Sequence, residues 1–454
     1  MMKKWLVSLW YVLVFLLPIQ TTIIFLQKQL GQLPGIWQYG VISVYATDII
    51  ACGLLLTAGI IFFKDRRWAV WRQWEYLKIF WPLFFILVFS FGSILWSSDW
   101  MVSLQTAFRL LLGIFILLVA CSADFSKRIS MYVWWGSAVL QALLAWGQFI
   151  FQSVTEFKWF GMSAHAPWIL GDAVVEGKMG RILRAYGTLP HPNILAVFLA
   201  IGLVCGAVLF LTAKSFGERM WLLLGTAIML IGLIVSFGRG AWIALVLSFV
   251  IVLSYSVRRH TRIILVEKEN QIKIFCFTML VIIGACGISL APYIATRAGL
   301  GGWTRIEQRS IDEREDYLVG AWHAITSRPF LGSGVGVSTL DEYNDSRSNH
   351  AMPVYTYQPV HNIYILMFVE LGVLGGLTFL WFLIVMSRLL IRAFDSVSIA
   401  GEYLYNIGAV MIFIVLLGAG IVDHFFLTLH AGIFIWWAGL SMAMILISKK
   451  NVSR

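Results

Sequence analysis

Long apolar stretches alternate with short polar segments along the 454 residues of this chain. An apolar stretch of about 18 to 25 residues crosses the bilayer as a helix, and it must be helical because lipid offers the backbone no hydrogen-bond partners. The pattern predicts an all-α, polytopic membrane protein, a single integral membrane domain over residues 1–454 with about twelve transmembrane helices. The predicted spans are 5–26, 41–63, 79–96, 101–120, 131–152, 191–212, 221–237, 240–256, 274–292, 362–386, 404–422 and 425–447.

Two of the polar segments are long. Residues 153–190 lie between the fifth and sixth spans, and residues 293–360 form the longest loop, between the ninth and tenth. Long ordered loops are usually functional rather than spacers. The second loop returns to the membrane at His361 and Asn362, so we expect the chemistry of the protein near this point.

Local signals inside these loops predict some structure. Ser310 and Glu313 fit a capping box, which predicts a helix over 311–327 that ends before Pro329. The glycine-rich run 332–336 is predicted to be a turn, because no strand precedes it as a nucleotide site would require. In the loop 153–190, mixed aromatic and charged residues indicate an amphipathic segment at the membrane interface.

The charge distribution predicts the topology. If the N-terminus is cytoplasmic, the inside loops carry 21 of the 34 basic residues and 8 of the 23 acidic ones. The net charge of +11 is then a positive-inside signal and not a nucleic-acid signature. We expect both termini in the cytoplasm, both long loops outside, and a first span that remains as an anchor rather than a cleaved signal. The five cysteines fall in spans or at their cytoplasmic ends, so we expect no outer disulfide.

Candidate chemistry gathers on the predicted outer face. Arg184, Arg239 and Arg314 offer planar guanidinium groups that bind phosphate oxygens in pairs, and His361 titrates near neutral pH. These residues favour an enzyme that acts on an anionic, lipid-linked substrate. Simpler roles stay open, since an arginine can anchor a loop to lipid headgroups and a histidine can cap a helix.

Other polar residues have weaker support. Ionisable residues inside spans are costly and often functional, but helix pairing explains Asp48, Arg109 and Glu370 equally well. Arg309 fits a solvated position. His191 lies between two prolines, which suits a structural role at the start of a helix.

Four segments resemble the O-antigen ligase and O-antigen polymerase superfamily of bacterial envelope enzymes. They are Arg184-Ala-Tyr-Gly with His191-Pro-Asn, then Ser236-Phe-Gly-Arg-Gly, then Arg314 with Trp322 and Gly332-Ser-Gly, and finally His361-Asn-Ile-Tyr with Glu370-Leu-Gly. Their order is that of the family, over about 181–376.

The resemblance implies a GT-C-like glycosyltransferase of the bacterial inner membrane with its active site on the periplasmic face. Its glycan donor would be an undecaprenyl-diphosphate carrier. The resemblance assigns the diphosphate to Arg184, Arg239 and Arg314 and acceptor activation to His361. Supporting positions are Asn362, Glu370, His191 and Arg309.

The predicted reaction is glycan transfer to an acceptor hydroxyl, of the O-antigen ligase type with lipid A–core as acceptor. A single displacement assisted by a base would invert the anomeric centre. Asp312-Glu313 and Asp341-Glu342 lack Asp-x-Asp spacing, so we expect no metal and no other cofactor. Apart from membrane lipids and the two glycan substrates we expect no partner, and no nucleic acid.

Alternatives remain at this stage. A polymerase would use a second carrier-linked glycan as acceptor, and a protein O-oligosaccharyltransferase would use a protein hydroxyl. A polysaccharide or lipid transporter would need charged or broken helices at mid-membrane, whereas the polar clusters of this sequence lie at the predicted ends of helices.

Overall fold

The computed structural model describes residues 1–31, 33, 35–64, 74–177, 180–258, 268–300, 304–346, 353–395 and 400–447. These residues form an all-α membrane protein with two small antiparallel hairpins. The helices are α1 Met2–Leu16, α2 Ala46–Lys64, α3 Trp74–Gly92, α4 Trp100–Ser122, α5 Lys127–Phe151, α6 Pro192–Thr212, α7 Phe216–Val235, α8 Arg239–Arg258, α9 Glu269–Ser289, α10 Ala291–Arg297, α11 Arg305–Ser327, α12 Ser338–Ser346, α13 Ile363–Asp395, α14 Ala400–Val422, α15 Phe425–Thr428 and α16 His430–Leu446. The strands are β1 Thr22–Gln27, β2 Val41–Tyr45, β3 Val174–Gly177 and β4 Gly180–Leu183.

Ten of the described helices are long and apolar enough to cross a membrane, which confirms the polytopic prediction. The two other predicted spans correspond to shorter helices, α1 and α16. The first span was predicted to continue to residue 26, and this is wrong. The helix ends at Leu16, shortly before Pro18, and Thr22–Gln27 pairs with Val41–Tyr45 instead. Its β-branched residues suit a strand, but the strand partner lies fourteen or more residues further along the chain.

Hydrogen bonds among the connections show which of them share one end of the bundle. Gln20 after α1 donates its amide to Phe160 after α5, and Ala185 before α6 donates to Val235 at the end of α7. Arg297 in the long loop reaches the Phe237 carbonyl between α7 and α8. We call this end of the bundle the site end.

Small residues bring the central helices together. Helix α6 is buried along almost its whole length and contacts α5, α7, α8 and α14. A Cβ at Gly206 would lie 2.3 Å from Thr226 Oγ1, and one at Gly232 would lie 2.8 Å from the Ala142 Cβ. Small residues at such crossings allow the close packing on which helix association in lipid depends.

The long loop is helical, but its main helix does not start where the capping box suggested. Helix α11 begins at Arg305, and its cap is Thr304, whose hydroxyl accepts from the Glu307 amide. The expected start at 311 with a Ser310 cap is therefore wrong, because a second Thr-x-x-Glu pattern lies one turn and a half upstream. The predicted end is confirmed, since the helix stops at Ser327 before Arg328-Pro329.

The glycine-rich turn after α11 packs against a kink in α13. Gly372 has φ +66°, and a Cβ there would lie 2.2 Å from the Phe330 carbonyl oxygen. The Gly334 amide donates to the Glu370 carbonyl at 2.9 Å and the Val373 amide donates to Pro329 at 2.8 Å. These hydrogen bonds hold the long loop against α13.

The shorter loop contains the hairpin β3–β4, which the sequence did not predict. Trp159 and Trp168 lie on this loop, and their side chains are about three-quarters exposed. Exposed indoles are typical of a membrane interface, which agrees with the predicted amphipathic segment.

Candidate active site

Arg239 is placed by a tight turn between α7 and α8. Phe237 adopts a positive φ of 49°, and a Cβ at Gly238 would lie 2.3 Å from the Ala196 Cβ, so the turn presses against α6. Arg239 is the first residue of α8. Its Nη1 donates to the Arg297 carbonyl at 2.6 Å.

Glu307 joins Arg239 to a second arginine. Its carboxylate is almost fully buried and lies 3.1 Å from Arg239 Nη2 and 2.6 Å from Arg297 Nη1. Arg297 also donates to the Phe237 carbonyl at 3.2 Å. Arg297 was not predicted from the sequence as a site residue, although it is an arginine in the same loop, 293–360, as Arg314.

A cavity of about 380 Å³ opens beside these residues. Arg239, Arg297 and Arg314 line it together with Asn193 and Asp423. Within the described part of the chain, Arg314 has no hydrogen-bond or ion-pair partner, so its guanidinium group is available. Three guanidinium groups around one cavity make a site for a polyanion such as a diphosphate.

Arg184 lies behind this cavity and does not line it. The side chain is buried, its Nε donates to the Ser236 carbonyl at 2.8 Å, and its Nη2 donates to Asn193 Oδ1. Burial and the nearby Arg297 hold the pKa of Arg184 well below its ordinary value. The structure thus places Arg184 as a support for the 236–238 turn and for Asn193.

His361 stands at the start of α13 among other rings. Its ring stacks on Tyr317 at 5.5 Å and meets His424 edge-on at 4.7 Å. Its Nδ1 is buried without a hydrogen-bond partner among the described residues. Burial and Arg314 lower the pKa of His361 below its ordinary value, while Asp423 opposes that change. The net shift favours the neutral form of the imidazole.

Asn362, and not His361, caps α13. Its Oδ1 accepts from the Tyr364 and Ile365 amides, both at 3.0 Å, and its Nδ2 donates to the Ile421 carbonyl. This leaves the neighbouring imidazole free of a capping role.

Asp423 and His424 form a cluster with His361, and neither was predicted from the sequence. Asp423 accepts from Asn193 Nδ2 at 2.7 Å, and His424 Nδ1 lies 2.7 Å from Thr428 Oγ1. Burial, His361 and Arg314 hold the pKa of His424 well below its ordinary value. The sequence did offer one indication of a functional role. These two polar residues alone separate the last two predicted spans, 404–422 and 425–447.

The ligand atoms of His361, Asp423 and His424 lie within 4.8 Å of one another. Their ligand atoms are close enough together to hold a divalent cation. The Asp423 carboxylate already accepts from Asn193 and from the His424 amide. Metal independence stays a prediction for experiment.

Comparison with known proteins supports the family resemblance. The family model described as O-Antigen ligase matches residues 224–380. This segment belongs to the O-antigen ligase family. A search among curated proteins found no match. The matched segment, about a third of the chain, includes Arg239, Arg297, Arg314 and His361 but not Arg184 or Asp423. The chain that carries it is an integral membrane protein.

The three remaining predicted site residues, Glu370, Arg309 and His191, do not line the arginine cavity. Glu370 accepts from the Gly336 amide at 2.9 Å and from Ser338 Oγ at 3.0 Å, so it holds the glycine-rich turn. Arg309 pairs with Glu313 at 2.7 Å on an exposed helix face. His191 caps α6 through Nδ1, and burial lowers its pKa to about 3.

Proposed function

We propose that this protein transfers a glycan from an undecaprenyl-diphosphate carrier to an acceptor hydroxyl, as an O-antigen ligase with lipid A–core as acceptor. One observation carries the proposal: a cavity lined by three arginines adjoins His361 through Asp423. The arrangement supplies what the transfer needs, an anion site for the leaving group and a base for the nucleophile.

The arginines bind and stabilise the diphosphate. Glu307 pairs with Arg239 and Arg297, which fixes the positions of these two guanidinium groups. Breaking the sugar–phosphate bond adds charge to the diphosphate, and preorganised donors stabilise that developing charge more than the ground state. Arg314 has no described partner, so its guanidinium group is free to move toward the leaving diphosphate and bind it.

His361 acts as the general base. The acceptor oxygen forms a bond to the anomeric carbon and its proton passes to His361, while the bond to the diphosphate breaks and undecaprenyl diphosphate leaves. A neutral imidazole is the form this step requires. Asp423 stabilises the imidazolium that results, because opposite charges attract strongly away from bulk water. One displacement of this kind inverts the anomeric centre.

The same groups fit a polymerase or a protein O-oligosaccharyltransferase, which differ only in the acceptor. The transporter alternative has less support, because Arg239, Arg297, His361 and His424 lie at the ends of helices. For either enzyme, we propose that the site end faces the periplasm from the inner membrane and that both termini are cytoplasmic, in agreement with the charge distribution.

A reconstituted transfer assay tests the proposal. The purified chain receives undecaprenyl-diphosphate-linked O-antigen units with one of three acceptors: rough lipopolysaccharide, a second carrier-linked glycan, or a serine-containing peptide. We expect transfer to rough lipopolysaccharide with an inverted anomeric linkage. Exclusive extension of the carrier-linked glycan would replace the ligase with a polymerase, and a retained linkage would refute the single displacement.

A further inference from the structure

The protein has a second cavity, of about 250 Å³, that shares no lining residue with the arginine cavity. The hairpin β1–β2, the first half of α4, the turn before α12 and the start of α16 enclose it. Both cavities border the cluster formed by His361, Asp423 and His424, which we call the histidine cluster. Asp423 lines the arginine cavity, while Tyr39 and Thr428 line the second one.

Tyr39 and Thr428 connect this second cavity to His424. The Tyr39 ring lies 6.0 Å from the His424 ring, and Thr428 Oγ1 lies 2.7 Å from His424 Nδ1. A group bound in the second cavity would thus approach the histidine cluster from a surface separate from that of the diphosphate.

The chemistry of the two cavities differs. Half of the side chains that line the second cavity are uncharged Ser, Thr, Tyr or Gln, each with donors and acceptors for hydroxyl groups. Its charged lining residues include Arg109 and Glu370, of opposite sign, and His430, whose Nε2 lies 3.0 Å from Asp48. This balance does not favour a diphosphate. It suits a neutral ligand that is rich in hydroxyl groups.

The hydrogen bonding of Arg109 is a second indication, independent of the lining chemistry, that this cavity binds a ligand. The residue is only 8% exposed, and its Nη2 alone makes hydrogen bonds among the described residues, to the Ser43 carbonyl and hydroxyl at 3.1 Å each. Nε and Nη1 have no described partner. A buried guanidinium group with open donors is costly unless something accepts from them, and it lines the cavity.

We propose that the second cavity binds a sugar residue of the acceptor glycan and presents its hydroxyl to His361. This inference rests on the proposed transfer reaction, and it assigns one cavity to each substrate. The volume lies just below the range of about 300–1,000 Å³ for ligand pockets, so it suits a single sugar residue.

Site-directed labelling tests the assignment without a need for turnover. In a full-length chain whose five native cysteines are replaced, Gln38→Cys probes the second cavity and Ala298→Cys the arginine cavity, since both residues are exposed and line them. Core oligosaccharide released from rough lipopolysaccharide should slow maleimide labelling at position 38 only. Undecaprenyl diphosphate should slow it at position 298 only.

The labelling outcomes separate the two proposals. Protection of position 38 by undecaprenyl diphosphate, or no protection by the oligosaccharide, would overturn the acceptor site and leave the transfer reaction standing. Failure of undecaprenyl diphosphate to protect position 298 would instead contradict the diphosphate site.

Kinetics give a second readout. Arg109→Met should raise the acceptor KM about ten- to a hundredfold, the range for a lost hydrogen bond to a charged group, and leave the donor KM unchanged. Because Arg109 is buried, its replacement can also disturb folding. Gln38 is exposed, so Gln38→Ala serves as a milder variant, and we expect it to raise the acceptor KM about two- to tenfold. Gln308→Ala on exposed α11 is the matched control. An unchanged acceptor KM in both cavity variants would overturn the proposal.

Discussion

Replacing His361 with glutamine separates a base from a structural histidine. Glutamine keeps a polar side chain of similar size, but it cannot take the proton of the acceptor hydroxyl. Loss of a positioned base costs about 10² to 10⁴ in rate, which is about 2.7 to 5.5 kcal/mol of activation free energy. We expect kcat of transfer to fall by this factor while binding of undecaprenyl diphosphate is unchanged.

The structure also sets the expected cost to stability. His361 makes no capping hydrogen bond, because Asn362 supplies the cap of α13. The substitution removes ring contacts with Tyr317 and His424, and an aromatic pair contributes only about 0.5 to 1.5 kcal/mol. Asn362→Ala should destabilise the fold by about 1 kcal/mol, the usual value for a lost cap, and still retain the wild-type pH profile.

The pH profile completes this test. Burial and Arg314 lower the pKa of His361 below its ordinary value of about 6.5. A base works in its neutral form, so wild-type transfer should be constant above that value and fall at lower pH as the imidazole is protonated. This acidic decline should be absent from His361→Gln, and exposed His323→Gln is the matched control. Near-normal kcat in His361→Gln, with the acidic decline intact, would refute the role of this histidine as the base.

Four further measurements address the rest of the site. Arg239→Lys should lower transfer about ten- to a hundredfold because an ammonium group cannot replace a planar fork, whereas Arg309→Ala should have little effect; equal activity of the two variants in the reconstituted assay would point to simple lipid anchoring. Arg184→Ala should lower thermal stability as well as transfer, since it leaves Asn193 Oδ1 and the Ser236 carbonyl without their donor, and a loss of transfer at unchanged melting temperature would instead favour a direct substrate contact. Dialysis against EDTA should leave transfer unchanged, and restoration of lost activity by a divalent cation would contradict metal independence. Ser310→Cys in a chain without native cysteines should react with an impermeant maleimide in intact spheroplasts, and labelling only after lysis would reverse the topology.

The amino-acid sequence by itself determined the membrane character and the approximate helices of this protein. Burial in lipid forces long apolar segments to be helical, so their number and order follow from hydropathy alone. The hydropathy pattern also predicted two separate spans, 221–237 and 240–256, which correspond to α7 and α8. Local chemistry also predicted the end of α11, because Pro329 restricts the residue before it.

Only the tertiary structure decided which polar residues meet. Arg297, Glu307 and Asp423 come from separate segments, and their convergence depends on how α10, α11 and α14 pack at the site end. Arg184 was predicted from the sequence to bind phosphate, and only the structure shows that its side chain is buried and bonded to the Ser236 carbonyl and to Asn193. Hairpin β1–β2 likewise needed a distant partner strand to form. Contacts between segments distant in sequence depend on the packing of the whole bundle, and neither local propensity nor hydrophobic pattern specifies them.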